Sequence, residues 1–390
     1  METFDIIIIG AGPAGLGMAR NLADTPLKIA VLERLSESEL ANPPEDGRDI
    51  ALTHTSEEIM HDLGMWAHIP EDQIGVIRDA KVVNGRSDYA LHFESRRSGK
   101  DYLGRIVPNH LIRKASYLQV KDLSNVTLIT EAPVVEVRTG QVKLADGREL
   151  SASLVVAADS RFSETRRKMG ISASMTDFGR VVIVCEMAHE LPHNDIATEC
   201  FHYDQTLAIL PMHGDLSSVV VTLPSDKADA AMAMPELAFA ADIQQRFGNE
   251  LGKMELVSKR VAYPLVGVFA NRFVTERFAL VGDAAVGMHP VTAHGYNLGL
   301  TGGALLANEI KEALARGEDF ASATVLRRYE RAHRKVARPL YLGTNALVKL
   351  YTDTRLPAKV LRRAALRLGN ILPPVKSRIV QQLTQVDMRS

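Results

Sequence analysis

Three glycines near the start of the chain have the spacing G-x-G-x-x-G, and an acid follows eighteen residues after the last of them. Gly10 allows a tight turn, Gly12 lets a pyrophosphate approach the backbone, and Gly15 lets a helix pack closely on a strand. The acid is placed to accept hydrogen bonds from a ribose hydroxyl. This motif alone fits both FAD and NAD. The residues predicted to bind the dinucleotide are Gly10, Gly12, Pro13, Ala14, Gly15, Glu33 and Arg34.

A second group of residues, about 270 positions further along, distinguishes the two cofactors. Asp283 ends an apolar run and could accept hydrogen bonds from a polyol chain, because an ionised carboxylate only accepts. Backbone amides at the start of the following helix-like segment could stabilise negative charge on a reduced isoalloxazine ring. An enzyme that binds only NAD has no use for an acid that holds a ribityl chain, so FAD is favoured. The residues of this predicted site are Gly282, Asp283, Pro290, Gly295, Tyr296, Asn297 and Leu298.

Buried strands must position both groups. Residues 4–9 are apolar except for Asp5 and end in a run of β-branched isoleucines, as in a strand covered on both faces of a parallel sheet, and they run directly into Gly10. A helix-like run and a second short strand, 28–32, complete a βαβ unit that ends on Glu33. A different pattern, typical of short antiparallel strands, covers 180–186, 199–203, 207–211 and 217–223, and a helix-like stretch follows over 228–247.

The composition is that of an ordinary globular protein. The 390 residues are 46% apolar and 24% charged, and the formal net charge of −1 gives no overall attraction to nucleic acid. Two cysteines, Cys185 and Cys200, cannot form a disulfide framework, so free buried thiols in a reducing compartment are expected. The acidic N-terminus and the lack of a long apolar run predict a cytoplasmic protein, peripheral at most to the inner face of the membrane.

A third motif completes a resemblance to a known family. An apolar run over 154–158 precedes Asp159, and Ser163 and Arg166 follow, which matches a strand-Asp-Gly-x-x-Ser pattern with Ser160 in place of the glycine. Together with the two motifs above, this pattern resembles the class A flavin-dependent monooxygenases, the p-hydroxybenzoate-hydroxylase-like group. The resemblance implies that Asp159 lies near both the flavin and its nicotinamide reductant.

Within that group the sequence resembles the hydroxylases of ubiquinone biosynthesis. Residues 47–53 and 107–113 carry this resemblance, which implies that Arg48 and Arg113 contact the flavin. In the loop 290–297, Ala293 and His294 stand where most members have glycine and glutamine. This form of the loop is similar to that of the demethoxyubiquinol hydroxylases, which act late on the quinone ring.

The resemblance implies an α/β fold with a Rossmann-type FAD-binding domain, an inserted α+β substrate domain over the flavin and a C-terminal helical tail. The discontinuous FAD-binding domain would comprise 1–75, 101–175 and 265–325, and the substrate domain 76–100 and 176–264. Residues 326–390 would form a C-terminal basic helical segment. The polar stretches 36–46 and 87–100 are expected to be surface loops or edge hairpins.

The implied activity is hydroxylation of an aromatic ring. NADH or NADPH would reduce FAD, O₂ would add at the flavin C4a, and the hydroperoxide would deliver oxygen to a polyprenylated phenol or quinol. Such chemistry needs no nucleophilic side chain, and the sequence contains no nucleophile or metal-ligand motif. His289 and His294 lie on either side of Pro290 and could tune the flavin or hydrogen-bond a phenol; alternatively, each satisfies loop backbone.

Two other functions share these motifs. A geranylgeranyl-reductase-like flavoprotein would reduce alkenes instead of activating O₂, and a flavin-binding subunit of a quinone-biosynthesis complex would have no catalysis of its own. Substrate-dependent consumption of O₂ and NAD(P)H separates the three. The expected partners are a small lipophilic aromatic substrate, O₂, a membrane surface or other quinone-biosynthesis enzymes, and a second copy of the chain, but no nucleic acid.

The end of the chain is strongly basic. Residues 327–390 hold fifteen Lys and Arg against three Asp and Glu, a net charge of +12, so the remaining residues carry −13. A basic amphipathic helix is predicted over 356–368. It would either pack on the protein's own acidic body or lie at an anionic lipid surface.

Overall fold

Residues 2–84, 90–202, 205–289 and 294–352 are described by a computed structural model in which strands and helices alternate. The strands are β1 Glu2–Ile9, β2 Ile29–Leu32, β3 Asp49–Leu52, β4 Gly75–Ile77, β5 Asp79–Asn84, β6 Ala90–Glu94, β7 Gly104–Pro108, β8 Val126–Ile129, β9 Val134–Arg138, β10 Gln141–Leu144, β11 Glu149–Ala157, β12 Ala173–His189, β13 Ile196–His202, β14 Gln205–Pro211, β15 Leu216–Pro224, β16 Met254–Leu256, β17 Val261–Ala270, β18 Val274–Thr275, β19 Phe278–Leu280 and β20 Val286–Gly287. The helices are α1 Pro13–Asn21, α2 Glu37–Ala41, α3 His54–Asp62, α4 Asn109–Leu118, α5 Glu164–Lys168, α6 Ala228–Ala233, α7 Glu236–Arg246, α8 His294–Ala315 and α9 Ala323–Thr352.

The first sheet is built around parallel strands in the order β19-β11-β1-β2-β8. β1 pairs in parallel with both β2 and β11, and β11 pairs in parallel with β19. Ile6, Ile7 and Ile8 in the central strand are fully buried, as expected for a strand covered on both faces. The Rossmann-type arrangement predicted from the N-terminal motif is confirmed. The loops after β1, β11 and β19 therefore meet at one edge of the sheet.

The second sheet has the order β20-β17-β12-β15-β14-β13-β5-β6, with β16 beside β12. Its pairs are antiparallel except for β13 with β5. Each strand predicted between 180 and 223 lies at one of β12, β13, β14 and β15, although Tyr203, the last residue of the stretch 199–203, is outside the described residues. Helix α7 packs on one face of this sheet through Phe239 and Ile243. Cys185 and Cys200 are free and buried on that face, and burial raises the pKa of each thiol to about 12.

A small third sheet, β3-β7-β4, lies between the other two. Leu52 and Val107 from this sheet share an apolar cluster with Met60 of α3, Ile112 of α4 and Leu300 of α8. A β-carbon on Gly75 would meet Pro211 O at 2.4 Å, so β4 lies directly against β14. The small sheet therefore joins the flavin side of the molecule to the second sheet.

Two local expectations are corrected. The stretch 228–247 is divided into α6 and α7, because Met234 is extended before Pro235, as the ring of a following proline requires. The polar stretch 36–46 contains the short helix α2, which a capping box between Ser36 and Glu39 stabilises. In the stretch 87–100, strand β6 occupies 90–94, and residues 85–89 lie outside the described residues.

The C-terminal part of the described chain is the long helix α9, which begins at Ala323 and contains Pro339. The predicted amphipathic helix over 356–368 lies outside the described residues. The predicted domain limits stay a prediction; the second sheet takes β5 and β6 from the earlier part of the chain and then strands from Ala173 in β12 to Gly287 in β20. No helix within the described ranges has both the length and the apolar character needed to cross a membrane.

Candidate functional site

The turn after β1 requires glycine at two of its three motif positions. Gly10 has φ +111, and a β-carbon there would lie 2.5 Å from Ala158 O. A β-carbon on Gly15 would lie 2.0 Å from Gly10 O, so this residue sets how closely α1 approaches the turn. A β-carbon on Gly12 would meet no atom within 4 Å, and no side chain caps the start of α1 at Pro13. The turn thus leaves open space beside uncapped backbone N–H groups, which suits a phosphate.

Glu33, at the end of β2, is bound to the backbone around that turn. Its Oε2 accepts a hydrogen bond from Ala11 N at 2.8 Å, and its Oε1 accepts from Arg34 N and Leu35 N at 2.9 and 3.0 Å. A carboxylate has about four acceptor positions, so these three bonds leave room for one more donor. Glu33 can therefore shape the turn and still contact a ribose hydroxyl. The Arg34 side chain is exposed.

The loop after β11 carries the third motif. Asp159 Oδ2 accepts from Thr165 N at 3.3 Å, whereas its Oδ1 is buried without a partner among the described residues. Arg166 is buried, and its Nη1 donates to Ala284 O at 2.8 Å; burial lowers the pKa of its guanidinium. The buried, unpartnered Oδ1 of Asp159 fits a cofactor that supplies a donor at this position.

Arg161 in the same loop is a residue that sequence reasoning missed. Its Nη2 and Nε donate to Asp283 Oδ2 at 3.2 and 3.3 Å, and its Nη1 donates to Val266 O at 3.2 Å. These bonds join the loop after β11 to the turn after β19 and to the second sheet. The only available signal was its position inside the Asp-Ser-Arg-Phe-Ser stretch.

The turn after β19 brings the two predicted cofactor motifs together. Gly282 has φ +61, and a β-carbon there would lie 2.9 Å from the Ala14 side chain. Gly299 of α8 also lies close to this turn, since a β-carbon on Gly299 would be 3.3 Å from Gly282 Cα. Asp283 follows with a side chain that is 36% exposed. Residues that are about 270 positions apart in the chain therefore line one edge of the parallel sheet.

Helix α8 begins next to this edge at His294. Asn297 is buried, and its Oδ1 accepts from Thr53 N at 3.1 Å while its Nδ2 donates to Ala51 O at 2.9 Å. Leu298 is also buried, and a β-carbon on Gly295 would meet open space. Burial strongly raises the pKa of the Tyr296 phenol. Asn297 thus fixes β3 and α3 on the start of α8; Pro290, the earlier member of this predicted site, lies outside the described residues.

The two arginines of the family resemblance occupy different places. Arg48 lies just before β3, where its Nε donates to Asp46 Oδ2 at 3.0 Å and its guanidinium stacks 5.6 Å from the Tyr263 ring centroid. The charge of Asp283 also acts on Arg48. Arg113 lies on α4, where its charge acts on Glu39. Arg48 is therefore at the junction between the flavin side and the second sheet, and the charge of Arg113 also acts on Tyr263 at that junction.

His289 is buried just after β20. Its ring packs edge-on against Phe178, with centroids 5.0 Å apart and planes at 85°. Burial, with the charges of Arg180 and Arg161, lowers the pKa of His289 to about 4, so its imidazole is neutral at pH 7. His294 is buried at the start of α8. Within the described ranges no group of His, Cys, Asp and Glu side chains has the geometry of a metal site.

Comparison with known proteins agrees with this architecture. The family model described as "FAD binding domain" matches residues 3–342. Ubiquinone hydroxylase UbiM of Neisseria meningitidis is 50% identical over 388 residues, covering 97% of this chain and 84% of that protein. Ubiquinone hydroxylase UbiL of Rhodospirillum rubrum is 33% identical, and the match covers 95% of this chain and 87% of that protein. COQ6, the mitochondrial ubiquinone biosynthesis monooxygenase of Drosophila melanogaster, is 27% identical. This match covers 96% of this chain and 88% of that protein.

Solved structures share the fold. PqsL of Pseudomonas aeruginosa, a probable FAD-dependent monooxygenase, superposes with a TM-score of 0.77 at 20% identity and covers 94% of this chain and 100% of its own. A second neighbour, 2-methyl-3-hydroxypyridine-5-carboxylic acid oxygenase, has a TM-score of 0.77 at 17% identity. The superposition covers 99% of this chain and 98% of that protein. These similarities agree with the glycine-rich turn after β1 and with the two turns that carry Asp159 and Asp283. The chain therefore belongs to the FAD-binding-domain family and is an FAD-dependent monooxygenase related to the ubiquinone hydroxylases.

Proposed function

We propose that the protein is an aromatic-ring hydroxylase of ubiquinone biosynthesis, which uses NADH or NADPH and O₂ and acts on a polyprenylated phenol or quinol. The observation that carries this proposal is 50% identity with a ubiquinone hydroxylase over nearly the whole chain. The coverage of 97% includes both cofactor motifs and the second sheet. The loop form with His294 supports the demethoxyubiquinol branch of that group, which stays a prediction.

The described residues fit FAD at the edge of the parallel sheet. Gly12 and the uncapped start of α1 would receive the pyrophosphate, and the remaining acceptor position of Glu33 would receive a ribose hydroxyl. Asp283 would accept from the ribityl chain, and the unpartnered Asp159 Oδ1 lies in the adjacent loop. When bound and reduced, FAD would supply the activated oxygen; the protein supplies its binding and its surroundings.

The second sheet supports a lipophilic substrate. The face opposite α7 carries Val182, Val184 and Leu265, with Phe178 and Val220 packed against them. Gly47 lies on this face, because a β-carbon there would be 3.3 Å from both Val184 and Val261. The loop before β3 therefore packs directly on this apolar face. Apolar walls exclude water, which protects a reactive oxygen species from breakdown.

Neutral His289 supports the same function. Because the pKa of this imidazole is lowered to about 4, the buried ring introduces no positive charge next to the apolar face at neutral pH. One ring nitrogen of a neutral imidazole can donate and the other can accept. His289 can therefore hydrogen-bond a phenol or the flavin without an added counter-ion.

The proposal is tested with purified, FAD-loaded protein. We expect a yellow protein with non-covalent FAD, whose NAD(P)H oxidation and O₂ uptake rise together when a prenylated phenol is added and yield one hydroxylated product per O₂. Flavin reduction coupled to loss of an alkene, without O₂ uptake, would instead support the geranylgeranyl-reductase alternative. A subunit without catalysis would bind FAD and show neither response. Colourless protein that takes up no FAD on titration would overturn the proposal.

A further inference from the structure

Glu199 of β13 is an acidic residue on the apolar face of the second sheet. Helix α7 packs on Cys200, Leu207 and Val221, and side chains alternate between the two faces along a strand. Glu199 faces Ala208 across the β13–β14 pair, and Ala208 faces Val220 across the β14–β15 pair. Glu199 therefore belongs to the face turned away from α7, which we call the inner face.

The inner face is covered by other parts of the protein. Phe201 and Leu210 on this face share an apolar cluster with Ile106 of β7 and with Leu347 and Leu350 of α9. Nearer the start of α9, the Tyr341 ring packs 5.1 Å from the Phe269 ring of β17. Residues 341–350 of α9 therefore cross the inner face from β17 towards β13, and the small sheet packs on the same face.

The carboxyl group of Glu199 is only partly satisfied at this face. Its Oε1 is buried and has no hydrogen-bond partner among the described residues. Thr206, on the neighbouring strand β14, hydrogen-bonds the carboxyl group. Burial raises the pKa of Glu199 to about 8, so the group holds a proton at neutral pH and can donate one hydrogen bond. A buried polar atom without a partner is costly unless a ligand supplies one.

Helix α9 carries two further polar atoms that are buried without a hydrogen-bond partner among the described residues. Tyr341 Oη and Asn345 Oδ1 are buried without partners among the described residues, and they are four positions apart, on one side of the helix. Among the apolar side chains of the inner face and of α9 there are thus buried polar atoms without partners on two elements, β13 and α9. Such a combination suits an aromatic ring that bears oxygen substituents.

We propose that the carboxyl group of Glu199 contacts an oxygen substituent of the aromatic substrate and selects rings whose substituents are uncharged. The inference rests on the proposed hydroxylase function and deepens it by naming a specificity-determining residue. The residues that face Glu199 on adjacent strands, Ala208 and Val82, offer no positive charge. Lys81 lies on the opposite side of the sheet, where it pairs with Glu250 at 3.1 Å. A ring carboxylate would therefore lie against a buried acid without a counter-ion, which is unfavourable.

Binding of ring compounds to the FAD-loaded enzyme tests the proposal. The probes are 1,2-dimethoxybenzene, which has no titrating group, and 3,4-dimethoxybenzoate, which adds one carboxylate; the change in flavin absorbance reports the Kd of each. We expect the wild type to prefer the neutral probe by at least about tenfold. Glu199→Leu should weaken binding of the neutral probe by about tenfold, as for loss of one buried hydrogen bond, while FAD occupancy stays unchanged. Glu250→Gln, on the other side of the same sheet, is the matched control and should alter neither Kd.

Glu199→Gln provides a second readout, should the leucine variant fail to fold. In the wild type, affinity for the dimethoxy probe should fall as pH rises through about 8, where Glu199 loses its proton; burial and Thr206 are the influences on this group. The glutamine variant should bind the probe as tightly at pH 7 but show no such step. An unchanged step in Glu199→Gln, or equal Kd values for both probes in wild type, would overturn the proposal. Failure of the wild type to take up FAD would instead contradict the proposed function itself.

Discussion

Arg161 and Asp283 form an ion pair in which Nη2 lies 3.2 Å from Oδ2, although 122 residues separate them in the chain. The pair joins the loop after β11 to the turn after β19, the two turns that carry acidic cofactor motifs. All described bonds to this carboxylate use Oδ2, so Oδ1 is available to accept from the ribityl chain. Arg161 thus orients the acid without occupying it.

Asp283→Ala should lower FAD occupancy without unfolding the protein. The change removes a charged acceptor, which is worth about 1.5–3 kcal/mol, equivalent to roughly ten- to more than hundredfold weaker FAD binding. The side chain is 36% exposed, so its removal leaves no core cavity and the melting temperature of the apoprotein should change little. Arg161→Gln is the matched variant, because it breaks the ion pair but keeps the acceptor. Full FAD occupancy in Asp283→Ala, measured from the absorbance of purified protein, would contradict this role.

Glu33→Ala should weaken FAD binding and also destabilise the apoprotein. We expect FAD to bind about 1–3 kcal/mol less tightly, the range for a hydrogen bond to a charged group. The structure adds the second effect, because Ala11 N, Arg34 N and Leu35 N lose their acceptor when the carboxylate is removed. Urea unfolding of the apoprotein separates this effect from ligand affinity. Glu33→Gln keeps an acceptor and should retain more stability than the alanine variant; equal behaviour would mean that the backbone bonds contribute little.

Asn297→Ala should loosen β3 and α3 from the start of α8. The change leaves Thr53 N and Ala51 O without their side-chain partner inside the protein, and each buried unsatisfied group costs about 1–3 kcal/mol. Hydrogen exchange should therefore rise at Ala51 and Thr53 and remain unchanged in β1. Asn21→Ala is the control, since the hydrogen bond that Asn21 Nδ2 donates in the described part of the chain goes to Gly17 O within its own helix. An exchange pattern identical to the wild type would exclude this anchoring role.

Much of the cofactor site could be predicted from the sequence because its motifs are local. Gly10, Gly12 and Gly15 lie within one turn, so their spacing can be read from the sequence, although the Ala158 carbonyl that excludes a β-carbon at Gly10 comes from a distant part of the chain. The pairing of Arg161 with Asp283 could not be predicted, since it depends on how β11 and β19 align across the sheet. Glu199 was missed for a similar reason. Alternation in β13 indicates that Glu199 and Cys200 lie on opposite faces, but only the position of α7 decides which face is inner.

The contribution of two buried acids to the stability of the apoprotein should decrease as pH rises from about 4 to 8. Burial, with the nearby charge of Glu186, raises the pKa of Asp49 to about 7, and burial raises that of Glu199 to about 8. Between the unfolded and folded pKa values, each of these carboxyl groups holds a proton in the folded protein that it has released in the unfolded chain. Their contribution is therefore fully present at low pH and is lost as pH rises, by up to about 1.4 kcal/mol per pH unit for each group. Urea midpoints of wild type and Asp49→Asn measured from pH 5 to 8 check this for Asp49, because the stability of the wild type relative to the variant should decrease as pH rises.

The basic C-terminal segment should bind anionic membranes weakly and reversibly. Four cations, Arg327, Arg331, Lys335 and Arg338, are exposed along one side of α9, at spacings that keep them on a common face. Among the described residues, the ion pairs of α9 are made by Arg328 and Arg334, and no acidic side chain pairs with any of these four cations. Adsorption to anionic lipid is worth about 1 kcal/mol per cation near the surface and is screened by salt.

Sedimentation with vesicles of anionic and of neutral lipid at low and high salt measures this binding. Full-length protein should sediment with anionic vesicles at low salt and be released by salt. Truncation before Leu356 removes the predicted amphipathic helix over 356–368 and should abolish binding if that helix makes the contact, whereas charge reversal at Arg331 and Lys335 tests the face on α9. Only a lipophilic substrate would make such contact useful. Protein that ignores anionic vesicles at low salt would mean that the +12 segment binds the acidic body of the protein instead.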